Sequence, residues 1–115
     1  MAAPPIAPPA LDPQIVAQLR DDLAMDDLRQ ICRMMEEDAE AMLAALTEAH
    51  ATGDADGWKH AAHRLAGGAS GLGAIRLEAE ARRAMNEGLA DATARLSALA
   101  EAVRQACEAL RMLRA

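Results

Sequence analysis

Two of the three histidines, His60 and His63, lie three residues apart in the stretch Trp58 to Ala74, WKHAAHRLAGGASGLGA, flanked by Lys59, the only lysine, and Arg64. A neutral imidazole nitrogen can attack phosphorus to form a covalent phosphohistidine, and it can also ligate a metal ion. An imidazole in water titrates near about pH 6.5, so the nucleophilic form is abundant at neutral pH. As metal ligands the pair could share zinc or nickel on one helical face, but a third ligand would have to come from another helix, and no residue marks one.

The spacing around these histidines decides which way they point. Trp58, Ala62, Leu65, Ala69 and Leu72 recur at intervals of four, three, four and three. At about 100° per residue they form one narrow arc, the buried side of a helix. His63 then lies about 140° from the centre of that arc and His60 about 160°, so both imidazoles are expected in solvent. Gly67 follows His63 by one turn and falls almost opposite the buried arc. A glycine on an exposed helix surface costs on the order of 1 kcal/mol relative to alanine and cannot aid packing there. Gly68 adds a similar penalty. The bare surface makes sense if another molecule must reach the imidazole. The competing reading is that these glycines only fray the helix ahead of Gly71 and Gly73.

The elements that position this stretch read as helices throughout. The chain of 115 residues suits one domain. Its apolar share of 52% is mostly Ala, Leu and Met, with no Phe or Tyr, which is good helix material and poor strand material. Residues 1–10, MAAPPIAPPA, are a proline-rich extended leader, and residues 11–115 form the domain. A short first helix starts at Asp12-Pro13, an N-cap followed by a proline suited to the first turn. It is expected to lie across one end of a longer bundle. The second runs from about Asp26 to Ala51 on the stripe Leu28, Ile31 or Cys32, Met35, Ala39, Met42, Leu46 and Ala49, with Glu36, Glu37, Asp38, Glu40 and Glu48 largely outside it. The third begins near Ala55 behind Thr52-Gly53-Asp54, and the fourth spans Ala74 to Glu87. Asp91 should cap the fifth, whose stripe runs from Leu96 to Leu113. Short connectors between four long helices predict an all-α, antiparallel up-down four-helix bundle with a short extra N-terminal helix.

Composition also excludes classes. The formal net charge is −6 and the basic residues are scattered, so no cationic stripe for nucleic acid exists. No apolar run reaches the roughly 18 residues a membrane span needs, and no secretory signal opens the chain. A cytoplasmic monomer is expected. Cys32 and Cys107 lack zinc-ligand spacing and read as reduced, buried thiols.

The string AHRLAGGASGLGA resembles the signature of histidine phosphotransfer (HPt) domains, A-H-x-L-K-G followed by small residues and L-G-A. His63 falls on the phosphorylated histidine, Leu65 on its leucine, Gly67 on its glycine, and Leu72, Gly73 and Ala74 on the later L-G-A. Gly53-Asp54 and Trp58 resemble the usual lead-in, and the helical layout from Leu11 to Leu113 fits more loosely. Two positions depart: Ala66 replaces the customary lysine, and Met35 stands where Phe is common. The resemblance implies a phosphoryl carrier in a two-component phosphorelay, served by response-regulator receiver domains and a hybrid histidine kinase. His63 would be the acceptor. Lys59, Arg64, Ala66 and Gly67 would make the phosphoryl environment, with Arg76 as a further source of charge. His60, Gly67, Gly68, Ser70 and the facing part of helix one or two would meet the partner. With no Walker loop, kinase signature or carboxylate cluster, the chain has no cofactor of its own, and Mg2+ would come from the receiver. The alternative is an HPt-like docking or inhibitory module that carries no phosphate.

Overall fold

The computed structural model describes residues 9–114, so the expected leader lies outside the described residues apart from Pro9 and Ala10. Five helices follow one another: α1 (Pro13–Asp22), α2 (Met25–Thr52), α3 (Ala55–Gly71), α4 (Ile75–Glu87) and α5 (Ala92–Leu113). Helices α2 to α5 form the antiparallel bundle. Each of α2 and α4 packs against both α3 and α5, which leaves α3 and α5 diagonally opposite. Among the described residues no strand is present, and no helix is long and apolar enough to cross a membrane.

Local chemistry explains most boundaries. Asp12 accepts a hydrogen bond from the Gln14 amide and Asp54 from the Gly57 amide, each satisfying an otherwise unpaired donor of a first turn. Gly53 closes α2 in the left-handed conformation, with φ of 70°. The core is built from Leu28, Leu46, Trp58, Leu65, Leu77, Leu99 and Leu110, with alanines between them. Trp58 is fully buried, and its Nε1 donates to the Ala84 carbonyl at 2.8 Å, tying α3 to the end of α4. A buried indole N–H needs such a partner.

Helix α1 crosses one end of the bundle as expected. The Asp12 amide donates to the Gly73 carbonyl at 2.7 Å, so the start of α1 is pinned to the α3–α4 turn. Gly73 has φ of 68°, and a Cβ there would stand 3.0 Å from the Ile15 Cβ. Only glycine allows both the turn and the contact.

Three expectations need correction. Glu36 was expected outside the buried stripe of α2, yet only 6% of it is exposed. Arg111 and Arg114 of α5 each donate from Nε to its carboxylate at 2.9 Å, and this pairing offsets the desolvation. Asp91 does stand at the N-cap position just before α5, but its side chain makes no cap bond because its backbone is left-handed, with φ of 60°. Helix α2 begins one residue early at Met25 behind Ala24, again with no side-chain cap.

Both cysteines are free and buried, as the stripes suggested. The Glu36 clamp sets the register of α2 against α5 and puts Cys32 level with the end of α5. Cys107 is then about 12 Å away along the bundle at 1.5 Å per residue, too far for a disulfide.

Candidate functional site

Helix α3 divides these residues between a buried side and an exposed side. Trp58, Ala61, Ala62, Leu65, Ala66 and Ala69 are buried, whereas Lys59, His60, His63, Arg64, Gly67 and Ser70 are exposed. The imidazole of His63 therefore stands in solvent, and among the described residues no protein hydrogen bond engages it. A Cβ built at Gly67 would meet nothing within 4 Å. The surface one turn beyond His63 is open space.

Gly68 differs from its neighbour. It faces α2, where a Cβ would sit 3.3 Å from the Met35 sulfur. Its lack of a side chain thus serves close helix approach as well as surface access, a packing role that the wheel alone did not assign. Ala66 also departs from expectation. It is 2% exposed and belongs to the core, so its methyl group adds nothing to the surface around His63.

The cations expected around His63 are unequally available. Arg64 extends over α2 and donates from Nη2 to Asp38 at 2.8 Å. Arg76 bonds Gln105 of α5, across the bundle from α3. Lys59 is exposed and lies one turn before His63 on the same flank. His60 borders a shallow groove between α2 and α3 that includes Met42, Ala45 and Thr52, which turns it away from the His63 flank. His50, at the end of α2, is exposed and lies 3.4 Å from the Thr93 hydroxyl. No three His, Cys, Asp or Glu side chains converge on a metal-sized site among the described residues, so the His60–His63 pair has no third protein ligand.

An apolar groove runs beside the bare segment. Leu19 of α1, Ile31, Met34 and Met35 of α2, and Gly68 and Leu72 of α3 line it. Met34 is 59% exposed and extends the apolar surface of this groove. Gly67 forms the saddle between this groove and His63. The sequence pointed to helix one or two as the facing surface, but the particular residues depend on how α1 docks.

This arrangement can do one kind of chemistry without help from other side chains. A solvated imidazole can take a group onto a ring nitrogen, and the adjoining bare and apolar surface admits a protein that brings it.

Comparison with known proteins agrees. Residues 28–113 match the family described as the Hpt domain. Among solved structures, the chain is similar to histidine-containing phosphotransfer protein B from Pseudomonas aeruginosa PAO1, with a TM-score of 0.85 and 23% sequence identity over 94% of this chain and 96% of the other. No curated protein sequence matches it.

Proposed function

The chain belongs to the Hpt-domain family, with a general role in histidine phosphotransfer, and on that premise we propose that His63 accepts a phosphoryl group from a receiver-domain aspartate and passes it to a second receiver. The observation that carries this reading is an exposed imidazole whose neighbouring turn, at Gly67, has no side chain and no obstruction.

The step balances simply. A ring nitrogen lone pair forms the N–P bond while the O–P bond of the aspartyl phosphate breaks, and the carboxylate leaves with the electron pair. The other ring nitrogen keeps its proton. Transfer to the second receiver runs the same exchange in reverse. Such transfer depends on alignment and on neutralising three phosphoryl oxygens, and the receiver's Mg2+ would supply most of that charge. The groove of Leu19, Ile31, Met34 and Met35 offers apolar area for a receiver helix beside the reacting nitrogen.

A second reading is favoured by Ala66, which brings no cation to the position where the family has one. In that case the bundle docks receivers or kinases without carrying phosphate. Mixing the protein with a radiolabelled phosphoreceiver separates the two. Acid-labile, alkali-stable label that is lost in His63→Gln and kept in His60→Gln is the expected result. Tight receiver binding with no label on the bundle would establish docking instead.

A further inference from the structure

Helix α4 carries an arginine that α3 alone does not reveal. Its flanks are identified by their partners: Arg76 reaches Gln105, and Glu80 and Glu87 reach Arg95, so that flank faces α5. The opposite flank, with Met85, Glu78 and Arg82, therefore faces α3. On α3, Gly68 and Arg64 face α2 through Met35 and Asp38, so the flank with Ala66, Lys59, Ser70 and His63 faces α4.

The two flanks can be aligned vertically. α3 and α4 are antiparallel and joined at Gly73. His63 precedes that residue by ten positions and Arg82 follows it by nine, so both stand at nearly the same height. The Trp58–Ala84 hydrogen bond agrees with this pairing. Around their own axes, each lies about 140° from its helix's buried centre, and the opposite chain directions turn both side chains toward the same outer face. Packed helix axes are about 8–10 Å apart, and the alanines Ala62, Ala66, Ala81 and Ala84 suit the short end of that range. An extended arginine spans that gap.

We propose that Arg82 is the residue of this chain that holds the phosphoryl group on His63. The inference rests on His63 being the carrier. The Arg82 side chain is 53% exposed, and its guanidinium donates from Nε to Glu78 at 2.9 Å. A doubly charged phosphoryl group in reach competes for it better than one carboxylate does, because planar guanidinium binds phosphate through two parallel N–H bonds. Glu78 parks the arginine when His63 is empty. A cation contributed from α4 also accounts for how Ala66 can be spent on core packing.

The test uses potassium phosphoramidate, a donor that needs no receiver: its N–P bond breaks and ammonia leaves as the His63 ring nitrogen bonds phosphorus. The intact protein and the variants Arg82→Gln, Arg82→Lys and Glu78→Gln are labelled in parallel and followed by 31P NMR. Arg82→Gln should slow labelling by about tenfold, the scale of one charge-assisted hydrogen bond, and Arg82→Lys should recover part of the rate, because it keeps the charge and loses the second parallel N–H bond. Glu78→Gln should label at least as fast as the native chain. The phosphoryl resonance should also titrate at higher pH in Arg82→Gln, since loss of a cation disfavours the dianion. If Arg82→Gln labels normally, the proposal is overturned while the carrier reading stands. If Arg82→Gln and Glu78→Gln are equally slow, the pair is a structural bridge and the proposal again fails. No label on native His63 would overturn both.

Discussion

Arg64 of α3 and Asp38 of α2 are joined by a 2.8 Å ion pair that draws the arginine over the groove and away from the His63 flank. The pair is solvent-accessible, with 59% of the arginine side chain exposed. Arg64→Gln should therefore change unfolding stability by less than about 1 kcal/mol, as exposed pairs usually do. Its effect should appear in receiver binding, weaker and less salt-dependent than native, and not in labelling by phosphoramidate. Denaturant titration and binding at two ionic strengths check both halves.

Gly67 gives opposite expectations for stability and transfer. Because a Cβ there meets nothing, Gly67→Gln should stabilise the helix by up to roughly 1 kcal/mol. The same side chain stands between the apolar groove and His63. Receiver-dependent transfer should fall on the order of 10²-fold, the scale of a displaced reacting group. A stabilised variant that still transfers at the native rate would remove the docking role of that surface.

The Glu36 clamp should matter more than any surface bridge. Glu36→Gln leaves Arg111 and Arg114 without their shared carboxylate in a site that is 6% exposed on the α2 side. Both arginines can swing toward water, so the expected loss is about 1–3 kcal/mol and not the larger figure for a fully trapped charge. Chemical denaturation of Glu36→Gln and of the double variant with Arg111→Gln measures the coupling.

Burial pushes the thiols of Cys32 and Cys107 up from the ordinary value of 9.0, with nearby Glu36 adding to the effect on both. Native protein should react slowly with iodoacetamide at neutral pH, and both thiols should react promptly once denaturant is added. The sign for stability follows directly. The raised folded-state values favour the native chain below the ordinary thiol pKa, and that contribution is lost as pH rises past it, so stability should decline above about pH 9. Cys→Ala substitution at both sites should flatten that alkaline limb.

Asp91 holds a left-handed backbone without a compensating cap bond. Asp91→Gly should remove that strain and leave stability equal or higher by roughly 0.5–1 kcal/mol. Thermal unfolding resolves the change.

The helical stripes were legible in the sequence because a helix repeats every 3.6 residues whatever surrounds it. The 4-3-4-3 rhythm from Trp58 to Leu72 sufficed to send His63 to the surface and Leu65 to the core, and the structure agrees at each of those positions. Asp12-Pro13 and Thr52-Gly53-Asp54 marked helix ends because capping uses donors and acceptors within a few residues.

Relations between helices were another matter. Glu36 sits beside the apolar stripe of its own helix, and only the arrival of Arg111 and Arg114, more than seventy residues later, makes its burial tolerable. Gly67 and Gly68 are chemically identical neighbours, yet one faces open space and the other faces Met35. Ala66 is buried because α4 packs back along α3 from the turn at Gly73. Periodicity within one chain segment reports which face is apolar. The rotation and height of one helix against another are set by side-chain packing across the bundle, and no segment carries that information alone.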